Sequence, residues 1–190
     1  MNHSDKKIIN QIKKGDISAY ASLVNRYQNM AFTLAYSITK NKEDAEEVAQ
    51  DAFVKAYKKL DTFKGKSKFS TWLYQIIYRT ALSKLRIKKE NWLSTDENED
   101  RNINFGTYEQ DHLERLDKKK ILKIAINKLN EDEGFLLVLY YYQELSIDEI
   151  CTLTAYTESN VKVKLYRARK NLYHNLQIIM NGEAKTLLQN

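Results

Sequence analysis

The sequence predicts an all-α protein: two small helical domains joined by an acidic linker, the second containing a helix-turn-helix. Three observations predict it. The chain of 190 residues has no proline and only five glycines, so little in it interrupts a helix. Apolar residues recur every three or four positions over most of its length, and the period-two alternation of a half-buried strand is missing. Charge changes sign along the chain: residues 94–117 carry eight acids against two bases, or −6, which leaves +12 on the remainder of a chain whose net charge is +6. The expected divisions are 1–90, a linker over 91–114, and 115–190.

The elements follow in order. Asp5 to Lys14 places Ile8, Ile9 and Ile12 on one face and stops at Gly15. A second helix carries Ile17, Tyr20, Leu23, Val24, Tyr27, Ala31, Leu34, Ala35 and Ile38, and ends near Asn41. The third is the most regular, with Ala45, Val48, Ala49, Phe53, Ala56, Tyr57 and Leu60 on its apolar face. Acids lead and bases trail on its other face, as the helix dipole favours. A polar loop, Asp61 to Ser70, contains two aromatics. A fourth helix starts near Ser70 or Thr71, carries Trp72, Leu73, Ile76, Ile77, Ala81 and Leu85, and ends in a basic run. Helical pattern resumes at Leu122, Ala125, Ile126 and Leu129, followed by a dense apolar helix over 131–143.

Residues 146–170 read as helix, turn and basic helix. Ser146 and Glu149 have the capping-box spacing, and Thr157 can cap the helix that follows. In that helix Val161, Leu165, Ala168 and Leu172 form one narrow apolar stripe, with Lys162, Lys164, Arg167, Arg169 and Lys170 around it. An apolar seam with a cationic outer face suits a recognition helix in a DNA major groove. A charge run is more often plain solvated surface, but five bases in nine residues after a capped turn favour DNA.

Several classes are excluded. Cys151 is the lone cysteine, so no intrachain disulfide forms, and a reducing compartment, the cytoplasm, is expected. The N-terminus lacks a signal-peptide core, and the longest apolar run, Phe135 to Tyr142, is far short of a membrane span. Gly65-Lys66-Ser67 lacks the upstream glycine of a phosphate-binding loop, since that position is Leu60. His3, His112 and His174 are scattered, so no metal site or catalytic triad is assembled. A protein without cofactor, and not an enzyme by itself, is expected.

Two blocks resemble one family. Asp44-Ala-Glu-Glu-Val-Ala-Gln-Asp-Ala-Phe53, with Phe69-Ser-Thr-Trp-Leu-Tyr74, resembles the polymerase-binding and promoter-melting domain of bacterial sigma factors. Leu145-Ser-Ile-Asp-Glu-Ile150 and Val161-Lys-Val-Lys-Leu-Tyr-Arg-Ala-Arg-Lys170 resemble their C-terminal domain. Two domains and a short linker match the extracytoplasmic-function group. The resemblance implies that the chain binds core RNA polymerase and directs promoter-specific initiation. It assigns polymerase docking to Glu47, Gln50, Asp51 and Lys55. It assigns contact with the minus-ten element to Phe63, Lys64, Lys66, Lys68, Phe69, Trp72, Arg79, Arg86, Lys88 and Lys89. Lys162, Val163, Lys164, Tyr166, Arg167 and Arg169 match positions that face the minus-thirty-five element. Promoter DNA and an anti-sigma factor join the polymerase as implied partners.

The chain departs from the family in places. Arg79 and Ser83 stand where the family often has Asn and Asp, and Ala155 where a glycine is common, in a turn where an alanine would be strained. Two other readings compete. A stand-alone helix-turn-helix regulator would explain 146–170 but leave 44–85 without a role. A helical interaction module would make the basic faces incidental. On packing alone, Trp72 suits the core as well as DNA, and Tyr140, Tyr141 and Tyr142 suit mixed packing and surface.

Overall fold

A computed structural model describes residues 3–93 and 118–187, all of it helix, turn and loop. In the N-terminal half, α1 (His3–Lys13) leads through a 3-10 turn to α2 (Tyr20–Thr39), α3 (Lys42–Lys58) and α4 (Phe69–Leu93). The C-terminal half holds α5 (Lys118–Asn127), α6 (Glu131–Leu137) with a π-turn (Val138–Tyr142), α7 (Ile147–Thr154) and α8 (Glu158–Leu187). α4 runs on through 91–93, past the expected boundary; the rest of the acidic linker lies outside the described residues.

Local chemistry sets these ends. α2 stops where Lys40 turns into the left-handed region at φ 55°. Asn41 opens α3, its side chain accepting from the Asp44 amide at 2.8 Å. Asn130 does the same for Glu133 at α6. At α7 the capping box is complete, with the Ser146 hydroxyl accepting from the Glu149 amide and the Glu149 carboxylate from the Ser146 amide. Thr157 accepts from the Asn160 amide at 3.3 Å, the cap expected for α8. Ala155 closes α7 at φ 62°, so the left-handed turn is kept at the strain of an alanine, and the backbone does not turn differently for want of a glycine.

The apolar stripes meet as a three-helix body of α2, α3 and α4, with Leu23, Leu34, Ile38, Val48, Phe53, Leu73 and Ile77 buried at its centre. The two helical domains do not stand apart: one continuous core runs from this body into α6 and α7. Tyr78 of α4 stacks on Phe135 of α6, centroids 4.6 Å apart and planes within 9°. The cause is a surplus of buried surface, since each half has an apolar face left over once its own helices have packed.

Polar bonds rim this junction. Tyr74 donates to Gln143 at 2.6 Å, Gln75 to the Thr152 carbonyl at 3.2 Å, and Asn127 to the Tyr36 hydroxyl at 3.1 Å. Lys40 reaches across to the Ile126 carbonyl near the end of α5, at 3.2 Å. Gly134 lets α6 approach α2, because a Cβ there would sit 2.7 Å from the Lys40 Nζ and 3.3 Å from the Ser37 carbonyl.

Burial pushes the Lys40 ammonium down from 10.5 to about 8, partly offset by Glu131. If the halves part, water restores its ordinary value. The closed form thus holds fewer protons between about pH 8 and 10.5, and closure tightens as pH rises through the lower part of that window. Higher still, ionisation of Tyr74, Tyr78 and Tyr156 opposes closure, because burial raises all three hydroxyls. Small-angle scattering between pH 7.5 and 9.5 should show a falling radius of gyration, and Lys40→Met should flatten that fall. Ala155→Gly should raise stability by about 1 kcal/mol, read from chemical denaturation, by relieving the left-handed alanine.

Candidate nucleic-acid interface

The loop after α3 and the start of α4 build an aromatic cluster. Phe63 and Phe69 meet edge to face at 5.8 Å, and Trp72 lies 5.3 Å from Phe63 and 5.7 Å from Phe69. Tyr27 of α2 backs Phe69 at 5.5 Å. The two phenylalanines, both expected to contact the minus-ten element, are core residues here, 6% and 0% exposed. Their rings carry the apolar load of a loop with little other support. Trp72 is half-buried, and of these three rings it is the one left partly open to solvent.

Around it the cations sort by helical phase. At 3.6 residues per turn, Arg79 and Arg86 fall within roughly 20° and 40° of Trp72 on α4. Both are exposed, and so are Lys64, Lys66 and Lys68 in the loop and Lys89 at the basic end. Lys88 lies elsewhere: it is roughly 160° round the helix from Trp72 and pairs with Asp44 at 2.8 Å. Lys84, on the same side, pairs with Glu47 at 2.6 Å, and that hydrogen bond raises its pKa. The basic tail of α4 and the acidic start of α3 therefore hold each other.

The outer face of α3 presents Glu47, Gln50, Asp51 and Lys55, all exposed, with Glu47 engaged by Lys84 and Lys55 donating to the Thr80 hydroxyl at 3.3 Å. Val54, 53% exposed, sits among them. Sequence reasoning missed it, although its signal was there: an apolar residue one position out of phase with the buried stripe of Val48, Ala49, Ala52, Phe53 and Ala56.

The second basic surface lies on α8. Val161, Leu165 and Ala168 are buried, which turns Lys162, Val163, Tyr166, Arg167, Arg169 and Lys170 outward. Tyr166, 63% exposed, is central, with Lys162 and Lys170 one turn to either side. Lys162 bonds Glu158 one turn before it, and Arg169 donates to the Tyr141 hydroxyl at 3.3 Å. Lys164 sits on the shoulder against α6, where Asp132 holds it at 2.6 Å and the Tyr156 ring lies at 5.0 Å from its ammonium. Asp132 also accepts from Tyr156 at 2.9 Å, so one carboxylate fixes the turn and the recognition helix together.

A groove of about 910 Å³ opens between the halves, lined by Phe32 and Tyr36 of α2, Leu122 and Ile126 of α5, and Tyr141 and Leu176 on the far side. Among the described residues no group of His, Cys, Asp and Glu could hold a metal ion. Among them, too, no helix is long and apolar enough to cross a membrane.

With this geometry in hand, comparison with known proteins is specific. Residues 23–91 match Sigma-70 region 2, and residues 120–172 match Sigma-70 region 4. The chain is 32% identical over 180 residues to the ECF RNA polymerase sigma factor SigW of Bacillus subtilis, covering 90% of this chain and 96% of the relative. It is 30% identical to the ECF RNA polymerase sigma-E factor of Haemophilus influenzae, covering 93% and 97%. Among solved structures it resembles the sigma factor RpoE in complex with the anti-sigma factor NepR from Bartonella quintana, with TM-score 0.67, 21% identity, and 85% and 99% of the two chains covered. It also resembles CnrH in complex with the cytosolic domain of CnrY, with TM-score 0.60, 21% identity, and 92% and 97% covered.

Proposed function

This chain belongs to the extracytoplasmic-function group of bacterial RNA polymerase sigma factors, and from that premise we propose how its residues divide the work of promoter recognition. The factor binds core polymerase and directs promoter-specific initiation; with both regions matched, the stand-alone regulator is set aside. It lends the polymerase sequence recognition and strand capture and brings no catalytic chemistry of its own.

The outer face of α3 docks on the polymerase through Gln50, Asp51, Val54 and Lys55, with Glu47 at its edge. Trp72 captures an unpaired base of the minus-ten element. A base stacked on an aromatic ring gains about 1–3 kcal/mol, enough to trap a strand that has opened thermally, without nucleotide hydrolysis. Lys64, Lys66, Lys68 and Lys89 hold phosphates, and Arg79 and Arg86 follow the strand along the same face of α4. Lys162, Val163, Tyr166, Arg167, Arg169 and Lys170 read the minus-thirty-five element, arginine being suited to a guanine edge and lysine to phosphate. The observation that carries this reading is the alignment of Trp72, Arg79 and Arg86 on one exposed face beside the lysine loop.

The closed arrangement cannot perform this task. Elements centred 25 base pairs apart lie about 85 Å apart on B-form DNA. A folded body of 190 residues has a radius of gyration of about 16 Å. The halves must part for each to reach its element, and the junction at Tyr78 and Phe135 must break. An anti-sigma factor fits as the partner that holds them together, and the apolar groove between the halves, with Lys123 and Arg169 on its rim, suits such a protein. The anti-sigma factor NepR in the solved RpoE complex is in keeping with this.

Purified protein mixed with core polymerase should form a complex and support transcription from its own promoters; failure of both refutes the reading. Trp72→Ala should lower permanganate reactivity of melted thymines about fivefold or more, with polymerase binding intact. Replacing Lys66 and Lys68 by Ala should reduce the salt slope of promoter binding by about 0.7–0.9 for each phosphate that is no longer neutralised.

A further inference from the structure

The helix α1 precedes the region 2 match at residue 23, and the promoter-melting reading leaves it without a task. It is nevertheless tied to the aromatic cluster at both of its ends. At its start Asp5, 2% exposed, accepts from Arg26 and, at 2.7 Å, from the Tyr27 hydroxyl. The Tyr27 ring is the one that backs Phe69. Burial, then the bond to Asp5, raises the Tyr27 hydroxyl well above its ordinary value, so it stays protonated as the donor. In between, Ile9 and Ile12 are buried and anchor the helix.

At its end Lys13 extends to the turn that follows α3. Its ammonium donates to the Phe63 carbonyl at 3.2 Å and to the Asp61 carbonyl at 3.5 Å, across 50 and 48 residues of sequence. Phe63 is the last residue before the lysine loop and one of the two rings beneath Trp72. Beyond the turn the loop has little holding it: Lys64, Gly65, Lys66, Ser67 and Lys68 are all exposed. A cation shared between two carbonyls fixes the turn's direction while its own stem stays in solvent, so little core stability depends on it.

We propose that Lys13 is a positioning residue for promoter melting, pinning the Asp61–Phe63 turn so that Phe63 and the lysine loop hold Trp72 in register with the captured base. The proposal rests on the reading of Trp72 as the base-capturing ring, so its test carries Trp72→Ala as a reference. Full-length wild type, Lys13→Met, Lys13→Arg and Trp72→Ala would each be assembled with core polymerase. Binding of a fluorescent single-stranded minus-ten oligonucleotide would be measured, together with polymerase affinity and thermal stability.

Lys13→Met keeps the apolar stem and removes the donor. It should bind the oligonucleotide about fivefold more weakly, the order of one ordinary, solvent-screened hydrogen bond, with polymerase affinity and melting temperature unchanged. Lys13→Arg should restore binding. Wild-type binding by Lys13→Met beside a loss in Trp72→Ala overturns the role of Lys13 and leaves base capture standing. A defect in Lys13→Met that arrives with a lowered melting temperature, or that Lys13→Arg does not repair, reduces Lys13 to a structural residue and also overturns it. Wild-type binding by Trp72→Ala refutes base capture itself, and the proposal with it.

Discussion

The flat stack of Tyr78 on Phe135 lies in the seam where α6 and α7 pack on α2 and α4, and the described arrangement depends on that seam. It joins α4, which carries Trp72, to α6, which supports α8, and with the packing around it makes one body of two. The ring of Tyr78 supplies apolar area, while its hydroxyl stays within 3.4 Å of Tyr156 at the helix-turn-helix turn. From there Asp132 and Lys164 continue the chain of contacts to α8. The rim is different in kind: single hydrogen bonds from Tyr74, Gln75 and Asn127, each replaceable by water at a net cost of about 1 kcal/mol. A compact apolar centre with an exchangeable polar edge is typical of interfaces between domains that move.

Much of this was legible in the sequence. The stripe of Ala45, Val48, Ala49, Phe53 and Ala56 fixed the face of α3, and Ser146 with Glu149 fixed the start of α7. The lack of glycine at position 155 pointed to the strained backbone found there. What stayed hidden depends on partners distant in the chain. Lys88 looked like its neighbours until Asp44, 44 residues earlier, was found beside it. Phe63 and Phe69 carry the same local signature whether they lie on a cluster or beneath it. Periodicity shows that a face is buried and leaves open what covers it, and for that reason the docking of α6 and α7 on α2 and α4 was not anticipated.

The ion pairs also redraw the charge map. Counted as sequence, the basic end of α4 and the recognition helix are uniform cationic runs. In three dimensions Lys84 and Lys88 answer the acids of α3, Lys164 answers Asp132, and Lys162 answers Glu158. The positive surface is therefore narrower than composition suggests, and it is drawn toward the loop beside Trp72 and the outward side of α8. Lys84 and Lys164, the less exposed of the four, mark the edges of the two basic faces.

Both sides of the Tyr78–Phe135 junction belong to one polypeptide. Their reunion is thus a unimolecular event, governed by the effective concentration that a covalent tether imposes and not by how many copies a cell contains. On the proposed opening, a factor released from polymerase would fold back on itself at the same rate whether scarce or abundant. An inhibitor that recognises the folded-back form meets a surface that its target has already assembled. Raising expression alone multiplies shut molecules and open ones in the same proportion, so the balance between them changes only through whatever favours one shape over the other.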